Sequence, residues 1–324
     1  MEIVGIDIAK RKFDLAWLSE KTGKIRSKAF ENSPVGYQLL FDWLANQGIV
    51  AQECRVVMEA TSQYYEALAR ALFDAGYLVS VVNPLQIKAF GQSQMRRQKT
   101  DRADAELIAR FGEQSKKMLL WQPPAPEVRE LQRLVARLEA VQGMHVQEQN
   151  RRHEAAGLAL ESVDRMLTTL KEEEALLKQK IHDHIDRHPG LRNQQELLCS
   201  IPGVGERVSS YFLAWLQIDR FETVRQMVAF VGLSPEHNQS GDSLQGKSHL
   251  CKLGHGRLRK ILYFPAMSAI QCNIAAKAMY ERLRAAGKGG KVALVAVMRK
   301  LLHWMMAVLK SGAAFDPKMA LAKD

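Results

Sequence analysis

The sequence predicts an N-terminal α/β domain, a long pair of helices and a mostly helical C-terminal domain, and three observations carry that expectation. Up to about residue 114, short apolar runs alternate with helical patterns. The stretch QPPAP at 122–126 then breaks the chain. Beyond it Leu131, Leu134, Leu138 and Val141 recur at heptad spacing, and after Gly157 the pattern resumes at Leu160, Val163, Leu167, Leu170, Leu177 and Ile181. That period belongs to a coiled-coil hairpin or dimer stalk. The predicted divisions are 1–121, 122–189 and 190–324.

Taken in order, the run EIVGIDIAK at 2–10 reads as a buried strand, which residues 12–18 continue. Gly23 turns the chain into a second strand near 25–30, forming a hairpin. A helix over 35–47 places Leu39, Leu40, Trp43 and Leu44 on one face and stops at Gly48. Residues 55–59 form the next buried strand, 64–75 a helix ended by Gly76, and 78–82 a strand closed by Asn83-Pro84. Thr100 and Asp101 open the last helix of this half.

His188-Pro189-Gly190 ends the coil. Next, Ile201-Pro202-Gly203-Val204-Gly205 joins two apolar helices and reads as a helix-hairpin-helix or a tight turn between helices. In the first case the turn at Gly203 and Gly205 lets backbone N–H groups approach a phosphate. A short apolar helix at 227–233 precedes a polar, basic loop over 236–255, and helices follow over 263–279 and 291–309.

The chain has 324 residues, and its 46 Lys+Arg against 35 Asp+Glu leave a net charge of +11. That balance favours a polyanionic partner such as nucleic acid over an acidic small molecule. Cys54, Cys199, Cys251 and Cys272 are scattered without metal-ligand spacing and read as reduced, buried thiols. With neither a basic and apolar leader nor an apolar run long enough for a bilayer, the expectation is a cytoplasmic protein with no membrane partner.

Asp7 sits inside an apolar run, where an unpaired charge is costly. It is either a strand-end residue capping a turn or a ligand to a cation. Glu59 closes another apolar run, and Asp101 and Asp104, three apart, share one helix face. If that helix packs on the sheet, four carboxylates meet. Two magnesium ions would relieve their repulsion and serve phosphodiester chemistry. Arg96, Arg97 and Lys99 lie in the loop just before this helix, either solvated or contacting phosphate. Lys247, Lys252, Arg257, Arg259 and Lys260 follow Ser240 in the polar loop and its flank. Lys288 and Lys291 bracket a basic turn suited to a phosphate backbone. Ser240, before Gly241, is by itself a turn residue.

Together GIDIAK, MEAT, KTDRADA, IPGVG and SGDS, in that order over nearly the whole chain, resemble the DEDD-type transposases of bacterial insertion sequences, relatives of the Piv DNA invertase. The resemblance implies a RuvC-like ribonuclease H fold for the first domain, with Asp7, Glu59, Asp101 and Asp104 binding magnesium. It also implies a C-terminal transposase domain whose serine, matched by Ser240, completes a composite site and attacks DNA to form a phosphoserine. A structured noncoding guide RNA from the element would select donor and target DNA. Separation of the two halves by the coil predicts a homo-oligomer, a dimer or tetramer. Asp242 and Ser243 depart from the family pattern, so a contact from Asp242 or use of Ser243 stays open.

Three other readings compete, the plainest a DNA-binding protein whose behaviour would be unaltered on replacing all four acidic residues. In a RuvC-like, structure-selective endonuclease, metal-activated water would replace the serine. A kinase of the actin-like fold also carries an early strand Asp, but it needs a glycine-rich phosphate hairpin where this chain has Ile8, Ala9 and Lys10.

Overall fold

A computed structural model describes residues 1–318 except 21, 61–63, 96–99, 116–117, 237–238, 241–243, 246–248 and 251–253, with backbone alone for 236, 239–240, 244–245 and 249. The chain divides into two compact units, Met1–Pro123 and Pro124–Asp324.

The first unit is built on a five-stranded sheet in the order β3-β2-β1-β4-β5. Its strands are β1 (Glu2–Ile8), β2 (Lys12–Leu18), β3 (Ile25–Glu31), β4 (Cys54–Glu59) and β5 (Leu78–Val82). The pairings of β1 with β2 and β2 with β3 are antiparallel, whereas β1, β4 and β5 run parallel. Residues 12–18 therefore do not extend the first strand. The chain reverses over 9–11, where the Ala9 amide donates to the Lys12 carbonyl, and a third strand enters the meander. Helices α1 (Pro34–Asn46), α2 (Tyr65–Asp74), α3 (Pro84–Ser93) and α4 (Asp101–Gln114) fill the intervals. Ser33 and Thr100 cap α1 and α4 through their hydroxyls, each accepting from a backbone amide three residues on. β1 and β4 have buried residues on both faces, as central strands covered on two sides should.

Small residues set how α4 lies on the sheet. A Cβ added to Gly5 would stand 2.3 Å from the Ala109 amide nitrogen and 2.4 Å from the Ala105 carbonyl oxygen, and one added to Gly112 would meet Val57 and Ile3. With Ala105 and Ala109 fully buried, the helix backbone rests almost directly on β1.

The second unit opens with α5 (Pro126–Arg152) and α6 (Gly157–Asp186). Arg152 meets Asp164, His145 meets Glu174, and His184 meets the Glu127 carbonyl, so the two helices run antiparallel within one chain. Leu131, Leu138, Val141, Leu170, Leu177 and Ile181 are buried as their spacing predicts, whereas Leu134, Leu160, Val163 and Leu167 are only half-buried.

Next come α7 (Pro189–Cys199), α8 (Glu206–Trp215) and α9 (Val224–Val231). The short pairs β6 (Pro235–Glu236) with β9 (His249–Leu250), and β7 (Gln239–Ser240) with β8 (Leu244–Gln245), follow. The chain then forms α10 (Gly256–Ile261), α11 (Tyr263–Cys272), α12 (Ile274–Ala285) and α13 (Gly290–Ser311).

Three expectations change here. The helix expected over 263–279 is broken at Asn273, whose carboxamide oxygen accepts from the Ala275 and Ala276 amides and starts α12. Contrary to the expectation of no such run, α13 is long and apolar enough to cross a membrane by length and composition. Its residues Val297, Leu301, Leu302 and Met305 are fully buried in the unit's core, so its apolarity belongs to a core helix. Of the cysteines described, only Cys54 is buried, while Cys199 is intermediate and Cys272 exposed.

Candidate active site

Asp7 and Glu59 lie at the C-terminal ends of β1 and β4, one residue beyond the Ile6–Met58 pairing. Asp101 and Asp104 form the first turn of α4, which the Gly5 contact seats across the end of β1. Burial first, and then the charges of Asp104, Asp101, Glu59 and Asp14 in turn, push the Asp7 carboxyl up to about 6. The topology has thus brought Glu59, Asp101 and Asp104 within electrostatic reach of Asp7.

Two residues that the sequence did not single out belong to the same cluster. Asp14 pairs directly across from Asp7 in the β1–β2 register. Lys12, two residues earlier on the same face of β2, places Nζ 2.8 Å from Asp101 Oδ2 and 3.2 Å from Asp14 Oδ2. The hydrogen bond from Lys12 holds the Asp101 carboxyl below its ordinary value. The signal was present as the i, i+2 spacing of Lys12 and Asp14, but it acquires meaning only once β2 is a separate antiparallel strand.

The donor set fits a hard divalent cation: it consists of carboxylate oxygens whose mutual repulsion is expressed at Asp7. In the side-chain arrangement seen, no group of three or more His, Cys, Asp or Glu among the described residues is gathered tightly enough to grip an ion. With Asp101 held by Lys12, the carboxylates are neighbours rather than an assembled ligand sphere.

In the second unit the backbone of Ser240 pairs with Leu244 across β7–β8. Arg96, Arg97, Lys99, Lys247 and Lys252 lie outside the described residues. Arg257 sits 5.3 Å from the centroid of the Trp215 ring, with Nε 3.6 Å from Glu139. Arg259 donates to the Val231 carbonyl at 3.2 Å, which ties α10 to α9. Lys260, Lys288 and Lys291 are exposed. His255, which the sequence reading also passed over, caps α10 through Nδ1 and packs between Trp215 and Phe230. Burial foremost, then Arg257, hold its imidazole below the ordinary value.

The turn between α7 and α8 divides its glycines. Gly203 has φ +102°, and a Cβ there would lie 2.8–2.9 Å from Ala269 on α11, so its open side is filled by protein. Gly205, at the N-cap of α8, has nothing within 4 Å of the Cβ position.

Comparison with known proteins places these features in a family. A transposase profile of the IS110 DEDD type matches residues 4–186, and a second, described as transposase IS116/IS110/IS902 family, matches 195–281. The chain is 30% identical over 319 residues, 98% of both chains, to the pilin gene-inverting protein of Moraxella bovis, and equally so to that of Moraxella lacunata. It is also 26% identical over 163 residues to an uncharacterized 43.6 kDa protein of insertion element IS110 from Streptomyces coelicolor, covering 50% of this chain and 39% of that one.

Proposed function

The chain belongs to the IS110 family of DEDD transposases and is a DNA recombinase, and from that premise we propose that it exchanges DNA strands with a serine nucleophile at an acidic, magnesium-dependent site. The observation that carries the proposal is Asp7, whose carboxyl is pushed up to about 6 by burial and by Asp104, Asp101 and Glu59 around it. Carboxyls whose surroundings oppose their own charge cluster at functional sites.

In this reading the first unit is RuvC-like, and Asp7, Glu59, Asp101 and Asp104 would hold two magnesium ions. When bound, these would neutralise the DNA phosphate and favour the alkoxide of an attacking hydroxyl. Ser240 Oγ forms a bond to phosphorus as one bridging phosphorus–oxygen bond of the DNA breaks. The serine proton passes to a carboxylate of the site, and the leaving sugar oxygen takes up a proton. The outcome is a protein–DNA phosphodiester that conserves the energy of the broken bond for rejoining.

The net positive charge supports DNA binding, with Lys260, Lys288, Lys291 and the Gly205 turn, all exposed, as the phosphate contacts proposed among the described residues. We assign target choice to an element-encoded noncoding RNA, as the family resemblance implies. Assembly into a dimer or tetramer is supported by the far end of the α5–α6 pair. There Met144, Val146, Leu158 and Met166 are exposed beside the half-buried Leu160, Val163 and Leu167.

A strand-exchange assay with element-end DNA and its flanking transcript tests the proposal. Loss of exchange in both Asp7→Asn and Ser240→Ala is expected. DNA cleavage undiminished in Ser240→Ala would replace it with a hydrolytic nuclease.

A further inference from the structure

Lys12 starts β2 and bridges two carboxylates from different elements, Asp14 on its own strand and Asp101 on α4. Asp101 is one of the four acids assigned to the metal, yet its Oδ2 is taken by an ammonium at 2.8 Å. An acid cannot give the same lone pair to an amine and to a cation. We propose that Lys12 is a positioning residue, the internal counter-ion of the acidic site, which holds Asp101 before a divalent cation binds and competes with that ion for it.

The inference rests on the metal reading above and explains why the described carboxylates are near one another without forming a ready-made ligand group. The competition is winnable. Lys12 and Asp101 side chains are 52% and 57% exposed, and exposed ion pairs of this kind are weak and salt-screened. A divalent cation reached by several hard oxygens outbids a single amine. Asp14, whose side chain is only 16% exposed, keeps a partner for the lysine after the exchange, so Lys12 can let go of Asp101 without leaving the site. The device lowers the charge of the empty cluster and leaves Asp101 pre-placed at the start of α4.

Removing the ammonium should therefore tighten metal binding. The full-length chain, titrated with Mn2+ and followed by the electron paramagnetic resonance of the free ion, gives a dissociation constant without reference to catalysis. Lys12→Met is expected to bind Mn2+ roughly three- to tenfold more tightly than wild type at low salt, with the difference shrinking as salt is raised. Lys12→Arg should match wild type, and Lys277→Met, on α12 in the other unit, should leave binding unchanged. Circular dichroism verifies that each variant is folded. Equal or weaker binding by folded Lys12→Met, with wild type binding normally, would overturn the counter-ion role alone. No Mn2+ binding by wild type would overturn the metal reading and the inference with it.

Discussion

Gly5 on β1 and Ala109 on α4 approach so closely that a single added methyl group at Gly5 would fall 2.3 Å from the Ala109 amide nitrogen. Because the obstacle is backbone, it cannot swing aside. This contact sets the height of α4 over the sheet, and with it the place of Asp101 and Asp104. Gly5→Ala is expected to cost about 3 kcal/mol in denaturant unfolding, at the upper end for overpacking. It should also abolish strand exchange in the protein that still folds. A Gly5→Ala protein of wild-type stability and activity would show that the close contact is dispensable.

Asp7 makes the empty site pH-sensitive in a stated direction. Its folded-state value of about 6 lies above the ordinary 3.8, so the folded chain binds the extra proton between them. For this group, metal-free stability is greatest at the acid end and falls as pH rises through 6. In chelator at pH 7.5, Asp7→Asn should melt roughly 2–5 °C above wild type, the gap closing toward pH 4.5. The same variant should be inactive. A lower melting temperature for Asp7→Asn at pH 7.5 would contradict the repulsion described.

The two glycines of the IPGVG turn separate fold from binding. Gly203→Ala places a Cβ against Ala269 at φ +102°, and a loss of about 3 kcal/mol in stability is expected. At Gly205 space is open, so Gly205→Ala should cost under about 1 kcal/mol while weakening DNA binding in a filter or fluorescence assay.

Across the helical pair His145 Nδ1 lies 2.7 Å from Glu174 Oε1. Burial pushes the Glu174 carboxyl up, but hydrogen bonds from His145 and Lys178 outweigh it and hold it below the ordinary 4.5. Its contribution is therefore complete above that value and is lost as pH falls through the lower folded-state one. A double-mutant cycle of His145→Ala and Glu174→Gln should give a coupling of about 1–2 kcal/mol at pH 7 that shrinks below pH 4.5.

Much of this was legible in the residues. Asp7 and Glu59 stood out because a carboxylate ending an apolar run is costly, and Asp101 and Asp104 because three residues apart is one helix face. Lys12 and Asp14 did not, because their meaning depends on strand pairing: with 12–18 as an extension of the first strand, no register brings Asp14 opposite Asp7. Asn273 was hidden by the apolar residues around it, although its side chain does the local work of starting α12. The heptad period foretold most of the residues of α5 and α6 that are buried, but not that Leu134, Leu160, Val163 and Leu167 would stay half-exposed. Periodicity reports a face and is silent on whether a partner covers it.

The most direct test of the central claim is a denaturing gel for a covalent protein–DNA adduct, using element-end DNA, flanking transcript and magnesium with wild-type, Ser240→Ala and Asp7→Asn chains. A magnesium-dependent adduct formed by wild type and lost in both variants is the predicted result. Cleavage with no adduct, undiminished in Ser240→Ala, would contradict the serine mechanism.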